Sequence, residues 1–539
     1  MRGAVDKMRT LATVLLASML WAAAGHAAGE DVLHYTVQKD DTLIGVGQSL
    51  FVDPTQWPRV QRLNRVADVR RIPVGTVLRI PASLLRKVPR EARVVFLSGE
   101  VSVDGGTVGV GDRVTEGMQL ETLVDSFMTV ELPDGSRLTL QPQSEVRIEA
   151  LHGFAGFEGA QRSTFQIERG RIETDVQPQR GPAARYRIQT PTAIIGVRGT
   201  SFRVAADDAV TRTEMRAGQV AVAGDRPGKP ALLKEGFGLV ARAGQPLPPP
   251  VALLPAPDVS GLPAVHERPL LRFALAPVAG AVAYRGQVAS DPDFTRIVAE
   301  ARAAVPDLKI AGLPDGDYYL RARGIDSRGL EGRDAQRGFR LKARPEPPFV
   351  NAPRPGGKVS AGTVDFAWAR AEGAASYRFA LAASEDFTRP QVTESALTEP
   401  AHQLSLEAGT YFWRLASTRA DGDQGPWGDP VKVTVRPPQA APPPPAFDAD
   451  SMFFAWGGEP GQRFDYQFAE DEAFATIAAA GQVDAPELKL PRPAPGAYFL
   501  RIRAIDPDGF VGAYSASQQV IVPAEPPPWL WAVPLLILL

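Results

Sequence analysis

Arg198 sits between Gly196 and Gly199 in the stretch Thr190-Pro-Thr-Ala-Ile-Ile-Gly-Val-Arg-Gly-Thr-Ser-Phe-Arg-Val204. A guanidinium flanked by residues without a Cβ can approach a ligand or a partner closely. Arg198, Gly196 and Gly199 are therefore the candidate partner-binding residues. The remaining chemistry-bearing residues point away from catalysis. The five histidines, His26, His34, His152, His266 and His402, are scattered, with no His-x-Glu or His-x-x-x-His spacing for a metal. No Gly-x-Ser-x-Gly elbow occurs. Gly99 to Gly111 is glycine-rich, but no helix opening on Lys-Ser/Thr follows, so it reads as hairpin turns and not as a phosphate loop. Asp207-Asp208 reads as a solvated hairpin tip. No catalytic residue, metal or cofactor is expected, and the chain reads as a non-enzyme.

The element that must hold Arg198 is a pair of short strands joined through a sharp bend. Ile194, Ile195 and Val197 are β-formers, and the glycines allow a backbone bend that other residues resist. Phe202 and Val204 alternate with Ser201 and Arg203, which predicts one apolar and one polar face. The stretch resembles the FecR-type signature T-P-x-A-x-x-G-V-R-G-T-x-F-x-V. Around it, residues 92–244 read as almost purely β, with strands at short intervals between glycine turns such as Asp104-Gly105 and Pro133-Asp-Gly135. L-x-G-x-V, G-D-x-V-x-x-G, L-P-D-G-S, G-R-I and G-x-V-x-V follow in the order of that family. FecR proteins relay an outer-membrane receptor signal to a sigma factor through a cytoplasmic N-terminal domain. Few residues precede the first apolar run here, so that role is not carried over. The resemblance implies an exported β-domain that binds another envelope component.

Residues 32–82 read as β-α-α-β. Tyr35 and Val37 alternate, Asp40-Asp41-Thr42 is a turn with a helix N-cap, and helices are expected over Leu43 to Leu50 and from Pro54 through Trp57, Val60 and Leu63 to Asn64. Trp57 shares a face with Val60 and is expected in the core. Val77-Leu-Arg-Ile80 closes the unit. This resembles the LysM module, Y-x-V-x-x-G-D-T-L, L-x-x-L-N and P-G-x-x-L-x-I-P. The resemblance implies binding of peptidoglycan or another N-acetylglucosamine-containing glycan between two loops, here Asp41, Thr42 and Leu43, and Ile72, Pro73 and Val74. Two departures fall in those loops: Asp40 replaces the usual glycine, and Pro73-Val74-Gly75 replaces Pro-Gly. Residues 82–91, with Arg86, Lys87 and Arg90, read as a linker.

Residues 1–28 read as a signal peptide: Arg2, Lys7 and Arg9, the apolar run Leu11 to Ala24, then small residues suited to cleavage. The run is short for an uncleaved anchor. Residues 245–265 are proline-rich and read as a stiff spacer. An internal repeat of roughly 90 residues follows, over 266–344, 349–436 and 447–523. Each copy resembles a fibronectin type III sandwich, and the tryptophans of the second and third are expected in the core. In the late strands Tyr318, Leu320 and Ala322, Tyr411, Trp413 and Leu415, and Tyr498, Leu500 and Ile502 are expected inward, and the arginines between them outward to solvent. The apolar tail 526–539, with Trp529 and Trp531, leaves open a membrane contact through 529–539, a strand docking on a partner, or the start of a longer span.

With 59 basic and 61 acidic residues the chain has no nucleic-acid footprint, and without cysteine it has no disulfide or thiolate site. Fifty glycines and fifty prolines suit turns and linkers. The fold class expected is mainly β and multidomain: a LysM-like module, a β-rich FecR-like domain and three immunoglobulin- or fibronectin III-like sandwiches. The function expected is that of an exported protein of the Gram-negative periplasm or envelope, binding peptidoglycan through the first module and an unknown envelope protein through the second. The alternative is a membrane-anchored component that senses a periplasmic signal.

Overall fold

The computed structural model describes residues 31–178, 185–197 and 199–524. The expected signal segment, Arg198 and the apolar tail lie outside the described residues. The fold is mainly β, with several sheets and short helices near the N-terminus. It forms two compact units, one up to Leu341 and one from Lys342.

The first unit opens with Val32–Thr36 paired antiparallel to Val77–Pro81. Between them lie the helices Leu43–Leu50 and Trp57–Asn64, the second preceded by a 3-10 turn over Pro54–Gln56. Thr42 caps the first helix, its Oγ1 accepting the Gly45 N–H at 3.0 Å. Leu43, Val60, Leu78 and Ile80 are fully buried, and Trp57 packs half-buried against them.

Residues 82–91 are not a free linker. Leu84 and Leu85 are buried, and Lys87–Pro89 pairs with the strand Ser144–Phe154. Phe154 and Ala160 of the following domain join the core of the small module, and Tyr35 meets Phe157 edge-on at 5.9 Å. The basic residues of this stretch suggest a solvated joint, but its two leucines give it an apolar side to bury.

The next domain is two sheets that share the long strand Phe157–Asp175. One runs through Ala92–Ser98, Phe127–Glu131, Arg137–Leu140, the far half of the long strand, Ser201–Ala206, Val210–Ala217 and Phe237–Arg242, all antiparallel. The other carries Ser144–Phe154, the near half, Arg185–Gln189, Ala193–Val197 and Gln219–Gly224. Phe165, Ile188, Ile195, Phe202 and Val222 fill the core between them. Asp104 and Gly105 have φ of +49° and +73°, as the mirror-image hairpin turn requires.

Residues 245–265 differ from a spacer. Val251–Ala252 pairs with the start of Phe237–Arg242, and Leu253 and Leu262 are buried. The leucines among the prolines decide this placement. The first sandwich repeat follows, its larger sheet built from Val265–His266, Ala335–Leu341, Gly316–Ile325, Ala283–Ala289 and Ile297–Ala303.

The second unit holds the other two repeats. Their larger sheets contain Ser376–Ala382 with Gly409–Thr418, and Arg463–Ala469 with Gly496–Ile505. Trp368 and Trp413 are core residues. All three repeats share one local bond: the hydroxyls of Tyr318, Tyr411 and Tyr498 donate to the carbonyls of Pro314, Glu407 and Ala494, at 2.9, 3.1 and 3.1 Å.

Candidate functional site

The two loops of the small module are tied together by backbone. The Leu43 N–H donates to Val69 O at 2.8 Å, and Val37 N–H to Thr76 O at 2.9 Å. This places Asp41, Thr42 and Leu43 on the segment adjoining the one that carries Ile72, Pro73 and Val74. Their side chains are not equally free. Leu43 and Ile72 are buried. Thr42 is used as the helix cap. Asp41 Oδ2 accepts from the Tyr35 hydroxyl and from the Gln38 N–H, both at 2.7 Å. Burial and the Asp41 bond push the Tyr35 phenol up to about 12. Pro73 and Val74 remain exposed, Val74 at 67 %.

Both departures keep the loop geometry. Asp40 adopts φ +67°, the left-handed region that favours the glycine it replaces and that aspartate tolerates better than most residues. Gly75 adopts φ +84° in the turn closed by Thr76 N–H to Pro73 O at 3.1 Å. The inserted Val74 therefore leaves a glycine where the turn needs one.

At the signature stretch the two glycines differ. Gly199 has φ +88°, and a Cβ there would lie 2.7 Å from the Cα of Pro178. Gly196 lies within Ala193–Val197, and among the described residues a Cβ there would meet nothing within 4 Å. The bend thus explains Gly199 but not Gly196.

The polar face of the signature strand is buried. Arg203 stands directly opposite Glu173 on one neighbouring strand and Glu214 on the other. The first sandwich repeat covers all three. Arg203 is 1 % exposed and donates to Asp334 Oδ1 at 3.0 Å and to Gly332 O at 2.7 Å. Glu173 is held bidentately by Arg321, at 2.8 and 2.6 Å, and also pairs with Arg216. Glu331 receives Arg171, Arg323 and Arg285. An apolar patch flanks the charges, where Phe127 packs on Phe294, Ala289 and Ile297. Thr129 Oγ1 donates to Thr295 O at 2.8 Å.

The electrostatics follow from this packing. Burial alone would raise the Glu173 carboxyl, but Arg216 and Arg321 outweigh it and hold it at about 2. Against the same cost of burial, Arg171, Arg323 and Arg285 keep Glu331 well below the usual carboxylate range, and Arg203 with Arg323 does the same for Asp334. Glu214 goes the other way: burial raises it despite Arg203 and Arg171. Its Oε2 lies 3.9 Å from Arg203 Nε, and neither atom has a hydrogen-bond partner among the described residues. A cavity of about 290 Å³ opens at the seam, lined by Ser201, Arg203, Arg216, Gly236, Arg333 and Asp334.

This seam corrects the expected outward arginines of the first repeat, since Arg321 and Arg323 are 1 % and 0 % exposed. Sequence reasoning missed it because an Arg alternating with apolar residues reads as a half-solvated strand. One signal was present. Glu331 and Asp334 fall where the second copy has Gln424 and Trp427 and the third has Val511 and Tyr514, an equivalence fixed by the matching bridges Ile325–Glu331, Thr418–Gln424 and Ile505–Val511. Among the described residues no group of His, Asp and Glu could hold a metal ion, and no helix is long and apolar enough to cross a membrane.

Comparison with known proteins matches two stretches of the chain to domain families. The family model for the LysM domain matches residues 35–81, and that for FecR protein matches residues 118–221. No curated protein matches the chain. Among solved structures, one described as an anti-sigma factor from Parabacteroides distasonis is 20 % identical over 25 % of this chain and 59 % of its own, with a TM-score of 0.21. The chain thus spans less than two thirds of that structure. The chicken CNTN1 FN1–FN3 domains are 14 % identical over 50 % of this chain and 99 % of their own, with a TM-score of 0.21. The fibronectin(III)-like modules of Clostridium thermocellum CbhA are 14 % identical over 32 % and 90 %, with a TM-score of 0.20. At these TM-scores the structural likenesses carry no functional argument. Residues 35–81 thus match the LysM domain, residues 118–221 match the FecR domain, and each C-terminal repeat is built of two β-sheets.

Proposed function

We propose that the chain is a non-enzymatic, exported envelope protein whose LysM domain holds it to peptidoglycan and whose FecR domain, docked to the first repeat, is the body it displays there. The observation that carries this reading is the retained loop pair of the LysM domain. Asp40 and Gly75 keep the left-handed turns, and Pro73 and Val74 stand exposed beside the Asp41 loop. An acetamido sugar meets backbone amides and short polar groups in such a groove, with apolar edges against its faces. Ligands or partners of the FecR domain would use surfaces other than the one the first repeat covers. Arg198 stays a candidate for that contact.

Sedimentation with purified peptidoglycan sacculi tests the tether. Removing residues 31–81 would expose Phe154 and Phe157, which share the LysM core, so point variants are preferable. Val74→Glu and Pro73→Asp alter exposed loop positions. Co-sedimentation of the full chain that falls at least fivefold in these variants supports the tether. Full-chain protein left in the supernatant at every sacculus concentration would sink it.

A further inference from the structure

All three sandwich repeats place a phenylalanine at positive φ, a conformation rare for a bulky residue: Phe294 at +55°, Phe387 at +51° and Phe474 at +57°. In each case the turn sets the ring under one arginine of the late strand. Arg321 lies 4.4 Å above Phe294, Arg414 4.1 Å above Phe387 and Arg501 4.1 Å above Phe474. The ring covers one guanidinium face and leaves the N–H edge for a carboxylate. In the first repeat that edge grips Glu173 of the FecR domain.

The third repeat keeps the acid-receiving half of this arrangement. Gln467 stands opposite Arg501 as Gln287 stands opposite Arg321. Arg501 donates to Gln467 Oε1 at 2.8 and 2.6 Å through Nε and Nη2, as Arg321 donates to Gln287. Ile477 occupies the position of Ile297. The difference is cover: Ile297 is 0 % exposed under the FecR domain, and Ile477 is 40 % exposed. The arginine-receiving half has changed. Val511, 43 % exposed, stands for Glu331, and Tyr514 stands for Asp334, its ring 4.5 Å from Arg501. Among the described residues no segment covers this face.

We infer that the face of the third repeat formed by Gln467, Arg501, Phe474, Ile477, Val511 and Tyr514 is a docking surface for a protein β-sheet face that carries one carboxylate among apolar neighbours. The first repeat supplies the template: a glutamate in mid-strand, with an aromatic and small polar residues beside it, meets the same arginine, glutamine, phenylalanine and isoleucine. The replaced positions set the specificity. A second copy's FecR domain would bring Arg171, Arg203 and Arg216 against Val511 and Tyr514, where the one acid on this face, Asp465 at the position of Arg285, is already paired with Arg503 at 2.8 Å, so most of these cations would be buried without a partner. The partner therefore has an acid for Arg501 and an apolar flank for Val511 and Tyr514. The surface is independent of the glycan groove.

The test uses the full chain as bait for a displayed library of a small antiparallel β-sheet domain with its solvent face randomised. Enriched faces are expected to carry a central Asp or Glu with apolar neighbours, and their affinity for the full chain is expected to fall at least tenfold with Arg501→Glu. Ile477→Glu, at an exposed edge-strand position, gives the same loss without touching the arginine. Enriched faces that are basic or uncharged, or binding unchanged in both variants, would overturn the proposal. So would self-association of the full chain in sedimentation velocity that Arg501→Glu abolishes, since the occupant would then be a second copy.

Discussion

The first and third repeats place the same strained phenylalanine under the same arginine, and the two arginines meet different fates. Arg321 is buried in a shared seam whose charges come from two domains. Arg501 lies between the rings of Phe474 and Tyr514, with its own glutamine as acceptor. The fold of a repeat therefore does not decide which surface it can hold. Among the positions that differ are Glu331 and Asp334, where the third repeat has Val511 and Tyr514. Acids there neutralise the arginines that the FecR domain brings, whereas apolar groups there cannot.

If that account is right, the largest loss comes from the residue on which most arginines converge. Glu331→Ala leaves Arg171, Arg203, Arg285 and Arg323 facing one another in a buried seam. Removing one partner of a buried ion pair costs about 3–5 kcal/mol. Urea denaturation, with hydrogen exchange at Ser201–Ala206 as the local readout, should show that loss, together with exchange of the signature strand before that of the second unit. Val511→Ala in the third repeat should cost no more than about 1 kcal/mol, as expected at a partly exposed site. Equal effects at the two positions would refute the division of roles.

Arg321→Met ranks next. Methionine retains much of the stem packing on Phe294 and deletes the bidentate bond, so Glu173 keeps Arg216 and a long bond from Gln141. A cost of about 2–4 kcal/mol is expected from truncating one side of a desolvated pair. It should register as a lower unfolding midpoint for the first unit alone.

The pH dependence distinguishes the carboxylates of the seam by sign. Glu173, Glu331 and Asp334 have lowered folded pKa values. Their contribution is fully present above the unfolded range near 4, and it is lost as pH falls through the folded values, near 2 for Glu173. Glu214 has a raised value, so its ionised form costs stability at neutral pH and protonation relieves that cost. As pH falls towards the unfolded carboxylate range near 4, the cost at Glu214 is relieved, against a loss from His152 and His266, whose pKa values burial lowers. Comparison with Glu214→Gln isolates the first effect: the unaltered chain should gain stability relative to the variant on acidification, and both should lose it steeply below about 4. A stability difference between the two that does not change with pH would contradict the assignment of Glu214.

Most of the fold was legible because its signals are local. Thr42, Leu43 and Leu50 mark a helix, Asp104-Gly105 marks a hairpin, and Phe202 and Val204 mark the inward side of a strand. The two LysM loops were legible for the same reason, through short motifs whose turns need particular residues. The seam between the FecR domain and the first repeat was not legible. Glu173 and Arg321 are far apart in sequence, and each reads as a solvated residue in its own strand. The burial of a polar face depends on what lies over it, and no periodicity within one strand records that. Leu84, Leu85, Leu253 and Leu262 were overlooked for a related reason: arginine or proline neighbours made their segments look like joints.

The smallest expected effect is the one that most sharpens the contrast. Arg501→Met removes a guanidinium that no described domain grips, keeps a stem to pack on Phe474, and leaves Gln467 near solvent. A cation–π contact at a part-exposed site is worth about 0.5–1 kcal/mol, so the third repeat should lose about 1 kcal/mol or less. The double variant Arg321→Met with Arg501→Met should then lose the sum of the two single effects, because the positions share no partner. The two arginines occupy equivalent sites in one framework, and the strain at Phe294 and Phe474 is the same in kind. A several-fold difference between their substitution costs therefore isolates what the docked FecR domain contributes, apart from anything intrinsic to the sandwich. Equal costs would mean that the stacked phenylalanine, and not the buried carboxylate, is what the arginine serves in both.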